Sequence, residues 1–280
     1  MPVTNPFSYV RPVHTASRLS LVLGHMAVEA LRAMGDVARL LGLTLVALRR
    51  DPQRRTIYFA QLYHIGYLSL PVVLAGCTAI GLVLGVQSFA TLHRFNAEVM
   101  SGPMVNFSLI TQLAPVITGL MLAGRVGSNL AAELGTMKVT EQIDALRVMG
   151  TDPIAHLVAP RFLALVLLSP FLTAIGAAAG MIAGSFLVVN VWQVDGAAYW
   201  FQSAKYIQMY DIITGLCKPV IFGGLIALVC CRRGLMTRGG ATGVGEACTR
   251  GVVQASILVL VANFLLSLIF QKIWDLFGAP

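Results

Sequence analysis

No charged side chain interrupts residues Phe162–Val194, which read FLALVLLSPFLTAIGAAAGMIAGSFLVVNVWQV. A helix of about 20 residues crosses the roughly 30 Å hydrocarbon core of a bilayer. This stretch is longer than that requirement and contains no Asp, Glu, Lys or Arg. It therefore predicts a transmembrane helix with residues to spare.

Four other apolar runs are long enough to span a bilayer. They are Leu68–Leu92, Val99–Gly124, Ile212–Cys231 with Lys218 inside it, and Gly251–Gln271. The chain is 57% hydrophobic and 11% charged, whereas a soluble domain carries roughly a quarter charged residues. We predict an all-α integral membrane protein with five transmembrane helices over residues 68–280, preceded by an N-terminal segment, residues 1–67.

The basic residues predict the orientation, because Lys and Arg favour cytoplasmic loops. The predicted outer connections and C-terminal end hold only Arg94, Lys205 and Lys272. The other side holds Arg11, Arg18, Arg32, Arg39, Arg49, Arg50, Arg54 and Arg55 before the first span, Arg125, Lys138, Arg147 and Arg161 after the second, and Arg232, Arg233, Arg238 and Arg250 after the fourth. The N-terminus is predicted inside and the C-terminus outside.

The N-terminal segment predicts a helix over Leu19–Leu48 that does not cross the membrane. Charged residues recur through it, at Glu29, Arg32, Asp36 and Arg39. A helix lying in the membrane interface fits this pattern, and a helix packed on a cytoplasmic partner is the alternative. Asp51 and Pro52 are expected to end it.

Glycines recur at every fourth position in two of the spans. Gly176, Gly180 and Gly184 lie in the third, and Gly81 and Gly85 in the first. Such a face allows close approach of another helix. The pattern leaves open whether the contact is within one chain or between two.

The segment between the third and fourth spans is rich in aromatic residues, which favour the membrane–water interface. It predicts a short helix, about residues 195–209, on the outer surface. Anchoring is the expected role, and gating of a lipid path is the alternative. The aromatic residues are Trp192, Tyr199, Trp200, Phe201, Tyr206 and Tyr210.

The segment between the second and third spans, Ala123–Arg161, predicts a cytoplasmic helix at about residues 138–149. Gly150 is a natural helix end and Asp152-Pro153 a natural start for the next helix. Val139, Ile143 and Leu146 form an apolar stripe, and a charged stripe consists of Lys138, Glu141, Asp144 and Arg147. Such a helix either docks in a groove of a soluble partner or is simply solvated.

Several function classes are disfavoured. None of the twelve acidic residues falls in an apolar run, and proton-driven carriers usually keep ionisable groups at membrane depth. A lipid-modifying enzyme or a channel stays as the alternative function, although no convergent nucleophile and carboxylate set and no continuous polar stripe is evident. The basic residues are divided among three segments, which disfavours nucleic-acid binding, and the five cysteines lack metal-ligand spacing.

The segment Ala123–Arg161 closely resembles the signature of the MlaE family of ABC-transporter permeases. A second similar block lies late in the chain, with Lys218, Phe222-Gly223, Gly239-Gly240, Gly243-Val244-Gly245 and Val252-Val253. The first block matches at Ala123-Gly124-Arg125, Gly127, Ala132–Met137, Thr140-Glu141-Gln142, Asp144-Ala145-Leu146, Met149, Asp152-Pro153 and Pro160-Arg161.

The resemblance implies a permease dimer in the inner membrane that sits on two cytoplasmic ABC ATPases and exchanges phospholipid with a periplasmic MCE-domain protein. The helix that carries Lys138, Glu141, Asp144 and Arg147 would be the coupling helix. No cofactor is expected in this chain: its glycine-rich segment Gly239–Gly245 lacks the Lys-Ser or Lys-Thr of a phosphate-binding loop, so Mg-ATP would be bound by the partner subunit.

By similarity to the family, the lipid site is expected near the outer ends of spans one and two. Two departures bear on it: Thr111-Gln112 stands where many members have Arg-Glu, and Asn263 where many have Asp. Neutral hydrogen bonds are therefore expected there. Lys218 either handles lipid or extends to the headgroups. The lipid-binding candidates are Leu84, Gln87, Thr91, Leu92, Phe95, Thr111, Gln112 and Lys218.

Overall fold

A computed structural model of the protein describes residues 28, 32, 35–48 and 55–277. The chain divides into two compact units, residues 1–42 and 43–280. Residues 28, 32 and 35–42 of the first unit are helical, as are residues 43–48 of the second. Most of the predicted interfacial helix, Leu19–Leu48, and its end at Asp51-Pro52 lie outside the described residues, so its membrane placement stays a prediction.

From residue 55 onward the described chain is a succession of helices without a strand. Five of them, α1, α2, α4, α6 and α7, are long and apolar enough to cross a membrane, which confirms the five predicted spans. The inside-to-outside orientation stays a prediction. The helices are α1 (Arg55–His93), α2 (Glu98–Val139), α3 (Gln142–Val148), α4 (Ile154–Asn190), α5 (Gly196–Tyr206), α6 (Met209–Leu235) and α7 (Gly240–Phe277).

Helix α2 does not end with its apolar run at Gly124 but continues to Val139. The prediction of a loop containing a helix at residues 138–149 was therefore wrong in its first part: only Gln142–Val148 forms the separate helix α3. Ser128, Asn129 and Glu133 continue the helix although they are polar, because helical backbone hydrogen bonds are satisfied as well in water as in lipid. The stop at Gly150, with φ of 74°, is confirmed.

The glycine faces of the first and third spans meet each other within one chain. A Cβ added at Gly81 would lie 2.1 Å from the carbonyl oxygen of Gly180, and one added at Gly85 would lie 3.2 Å from that of Gly184. Around them, Val73, Cys77, Ala114 and Ala177 form a buried cluster. Tight packing between α1 and α4 follows, as small residues in membrane helices permit.

At the predicted outer end, α5 lies against the first turns of α2. Asp195 begins α5 by accepting a hydrogen bond from the backbone N–H of Ala197, at 3.0 Å. Tyr199 is fully buried with Val188 and Val194 and packs inside the protein. Burial raises the pKa of its phenol to about 12. Phe201, by contrast, is 70% exposed.

Candidate functional site

The Lys218 side chain lies inside the protein, 2% exposed, and does not extend to the headgroup region. Its ammonium group donates to three acceptors: the backbone oxygen of Thr111 at 2.7 Å, Gln112 Oε1 at 3.1 Å and Ser267 Oγ at 3.0 Å. A lysine has three N–H donors, and each finds a partner here. The alternative that Lys218 reaches toward headgroups is therefore wrong.

Pro115 accounts for the acceptor on α2. In a regular helix the oxygen of Thr111 would accept from the N–H of residue 115, and proline has none. The helix also widens into a π turn over Leu109–Leu113, in which backbone hydrogen bonds run from i to i+5. Lys218 on α6 supplies the missing donor. The sequence Thr-Gln-Leu-Ala-Pro thus creates a buried carbonyl that binds a cation from a neighbouring helix.

Gln112 joins the three helices of this polar cluster. Its Oε1 atom accepts from Lys218, from Asn263 Nδ2 at 3.2 Å and from Ser267 Oγ at 3.1 Å. The single hydroxyl hydrogen of Ser267 is shared between Gln112 Oε1 and the backbone oxygen of Asn263, one turn earlier in α7, which lies 2.7 Å from Oγ. Asn263 and Gln112 are joined by a neutral hydrogen bond, whereas the bond that Gln112 accepts from Lys218 is charge-assisted. Asn263 Oδ1 is buried and has no hydrogen-bond partner among the described residues.

A pocket of about 410 Å³ opens beside the cluster, within the usual range of small-molecule sites. Its rim is aromatic: the rings of Tyr210 and Trp274 lie 4.6 Å apart, and the Tyr210 hydroxyl donates to the backbone oxygen of Phe270 at 2.6 Å. The pocket is therefore lined by both polar and aromatic side chains. Its walls include Phe107, Thr111, Gln112, Tyr206, Gln208, Asp211, Thr214, Lys218 and Ser267.

The structure brings only three of the lipid-binding candidates together in this pocket: Thr111, Gln112 and Lys218. The other five lie on the last turns of α1 and the turn that follows: Leu84, Gln87, Thr91, Leu92 and Phe95. Phe95 is 75% exposed, and the Thr91 hydroxyl donates to the Gln87 oxygen at 2.8 Å. Sequence reasoning missed the wall contributed by Tyr210 and Trp274, although aromatic residues at both ends of a span are a recognisable signal.

The four charged residues assigned to coupling do not share one helical stripe. Lys138 belongs to the last turn of α2, and Glu141 precedes α3 in a left-handed conformation with φ of 61°. Asp144 links the two helices by accepting from Lys138 Nζ at 2.7 Å and from Arg147 Nη1 at 3.2 Å. The hydrogen bond from Lys138 is the main cause that lowers the pKa of Asp144. An ion-paired corner replaces the predicted stripe.

The apolar side of α3 is also divided. Ile143 is buried and holds the helix on the protein, whereas Val148 is 90% exposed and Met149 69% exposed. Val139, predicted on the same stripe, lies before the turn and is 39% exposed. The tip of this corner thus presents two apolar side chains beside the Asp144 ion pairs.

One ion pair joins the inner end of α2 to the start of α4. Arg161 Nη2 donates to Glu133 Oε1 at 2.6 Å, and Nη1 donates to the Leu157 oxygen at 2.8 Å. The Arg161 side chain is 4% exposed and that of Glu133 46%. Since α3 lies between these two helices in the chain, the pair fixes both sides of the corner.

Comparison with known proteins identifies the family. The family model described as "Permease MlaE" matches residues 58–269. A probable ABC transporter permease of Rickettsia typhi is 36% identical over 252 residues, which cover 90% of this chain and 97% of the relative.

Two further relatives have names that refer to lipid. The intermembrane phospholipid transport system permease MlaE of Haemophilus influenzae is 35% identical over 248 residues, 88% of this chain and 95% of the relative. The chloroplastic protein trigalactosyldiacylglycerol 1 of Arabidopsis thaliana is 37% identical over 210 residues, 75% of this chain and 60% of the relative. With the family model matching most of the chain, this protein belongs to the MlaE permease family.

Proposed function

We propose that the chain is the membrane-spanning subunit of an ABC-type transporter that moves phospholipid between the inner membrane and a periplasmic MCE-domain protein. The observation that carries the proposal is the family match over residues 58–269. The family is one of permeases, so the protein is a transport subunit and not the lipid-modifying enzyme considered as an alternative. The relative from Haemophilus, named for phospholipid transport, supports the substrate class.

The chemistry of the pocket beside Lys218 suits an amphiphile. A phospholipid has an anionic phosphate and an apolar body, and the pocket offers the Lys218 cation near one wall and the Tyr210–Trp274 pair at its rim. We infer that a headgroup contacts the polar cluster at Lys218 and Gln112. The candidates Leu84, Gln87, Thr91, Leu92 and Phe95 remain our proposal for the mostly apolar wall along which the acyl chains leave.

Energy must come from another subunit. The printed sequence contains no phosphate-binding loop of the form G-x-x-x-x-G-K-[ST], so an ATPase partner would bind Mg-ATP. We propose that this partner docks on the corner formed by the end of α2 and by α3, where Val148 and Met149 are exposed beside the Asp144 ion pairs. Exposed apolar residues ringed by charge are typical of interfaces.

A second copy of the chain is expected to complete the transporter as a homodimer. Helix α7 is the least buried of the five spans. Only 11% of its most apolar stretch is buried in the protein, against 61% for α6. Its outward side chains include Leu260, Val261 and Phe264, each about half exposed or more. Lipid or the second copy would cover this face.

The test is a detergent pull-down of the tagged chain from its native host, with mass spectrometry of proteins and lipids. We expect an ATPase with a phosphate-binding loop, an MCE-domain protein and enriched phospholipid. The double variant Glu141→Lys/Asp144→Lys should lose the ATPase and retain membrane insertion. Asp275→Lys, an exposed charge reversal at the far end of α7, is the matched control and should keep it. Recovery of the wild-type chain without any ATPase would overturn the proposal.

A further inference from the structure

A second and larger pocket lies along α2 on the C-terminal side of the polar cluster around Lys218. This inner groove, about 900 Å³ in volume, is bounded by the first turns of α1, the last third of α2 and Cys248 on α7. Thr111 lines the pocket at Lys218 and Arg125 lines the inner groove. The two residues lie 14 positions apart on α2, about 21 Å along the helix axis, so the two pockets lie at different depths along one span.

The inner groove holds a cation without a counter-ion. Arg125 lines it and forms no ion pair or side-chain hydrogen bond with the described residues. Glu133 also lines the groove, but its carboxylate accepts from Arg161 at 2.6 Å. A guanidinium group half-buried beside apolar helices without a partner is costly unless an anion accompanies it.

A buried hydroxyl in the same groove is a second, independent indication that a polar ligand binds there. Ser69 lines the groove, is 2% exposed, and its Oγ atom has no hydrogen-bond partner among the described residues. A serine in a helix can usually donate to the carbonyl one turn earlier, so a free buried hydroxyl needs an explanation. His64 and Asn129, both exposed on the same groove, add further polar groups.

The remaining wall of the groove is apolar. Ile65, Leu68, Val126 and Leu130 line it beside the polar residues. An inorganic anion would not use such a wall, whereas the glycerol backbone and upper acyl chain of a phospholipid would. Arg is also the side chain best suited to a bidentate contact with phosphate.

We propose that the inner groove is a second headgroup site, in which Arg125 and Ser69 bind the phosphodiester of a phospholipid from the inner leaflet. The proposal rests on the lipid permease function but concerns binding alone. It places two phosphate sites along α2, one where Lys218 contacts Thr111 and Gln112 and one at Arg125. No bond is made or broken at either.

The test is photo-crosslinking of the full-length chain in nanodiscs that contain ³²P-labelled phospholipid, without ATP. A benzoylphenylalanine at Asn129 reports on the groove, and one at Leu167, 45% exposed on α4 and outside the groove, reports on bulk lipid. We expect Arg125→Gln to lower the labelled lipid adduct at position 129 about tenfold, the factor that one charge-assisted hydrogen bond supports. The adduct at position 167 should not change.

Ser69→Ala is the second variant, since it removes one oxygen and keeps the chain's fold. It should lower the adduct at position 129 about threefold, as loss of one neutral hydrogen bond does, and Arg125→Lys should restore part of the signal. Equal adducts at positions 129 and 167 in all variants would overturn the proposal. So would a crosslink to a second copy of the chain, or full displacement of the lipid by millimolar inorganic phosphate. Because ATP and partners are absent, a failed transport assay would leave this result standing.

Discussion

Replacing Lys218 by methionine tests whether the lysine is held by the carbonyl that Pro115 leaves unpaired. The substitution keeps an unbranched side chain of similar length and removes three hydrogen bonds, at 2.7, 3.1 and 3.0 Å. Gln112 Oε1 keeps donors from Asn263 and Ser267, whereas the oxygen of Thr111 loses the donor from Lys218. A buried unpaired group costs about 1–3 kcal/mol, which we expect to dominate the loss of stability.

The variant Pro115→Ala supplies the missing N–H in the helix and so gives the Thr111 oxygen a second possible donor. In that background the cost of Lys218→Met should fall by about 1–2 kcal/mol, because the carbonyl is no longer left unpaired. The assay is reversible unfolding in mixed micelles of the four proteins in this double-mutant cycle. Pro71→Ala, at a proline inside α1, replaces Pro115→Ala in a control cycle. There the two effects should add within about 0.5 kcal/mol. A coupling energy near zero in the Pro115 cycle would refute the reasoning.

Three further predictions concern other parts of the protein. Gly81→Ala places a Cβ 2.1 Å from a carbonyl of α4 and should destabilise the protein in detergent by about 2–3 kcal/mol, whereas Gly124→Ala, with open space around it, should stabilise it by about 0.5–1 kcal/mol. Glu133→Gln leaves the buried Arg161 guanidinium uncompensated and should be less stable than the double variant with Arg161→Met, as thermal unfolding can show. Lys138 lowers the pKa of Asp144 in the folded protein. The ion pairs of Asp144 therefore stabilise the fold fully above its pKa in the unfolded chain, 3.8, and this stabilisation is lost as the pH falls through the lower pKa of the folded state. A carboxyl ¹³C titration with a midpoint at or above 3.8 would contradict the Lys138–Asp144 contact.

The span count followed from the sequence because each apolar run is decided locally. A run such as Phe162–Val194 exceeds the bilayer thickness whatever its neighbours are, and its backbone must be helical in lipid. Helix ends were less predictable: α2 continues to Val139, since polarity marks the membrane boundary and says nothing about where helical hydrogen bonding stops. The turn at Thr140–Glu141 contains no Gly or Pro from which it could be predicted.

The candidate site was predictable in composition and not in arrangement. Motif similarity selected Thr111, Gln112 and Lys218, and the neutral character of Asn263 was read directly. These side chains converge on one glutamine oxygen because of the way α2, α6 and α7 pack. The hydrogen bonds join residues that are more than a hundred positions apart in the chain. The inner groove could not be predicted from the sequence for the same reason, because Ser69 and Arg125 belong to different helices.

The sequence by itself determined that this is a five-span helical membrane protein with a charged turn after the second span and glycine faces in the first and third. Those features are set by hydrophobicity and side-chain size, which act residue by residue. Only the tertiary structure decided that Gly81 meets Gly180 within one chain, that Lys218 turns inward, and that Asp144 joins two helices. Each of these depends on the distance and direction between helices, because a buried cation or a close backbone contact is stable only when its partners are placed to meet it.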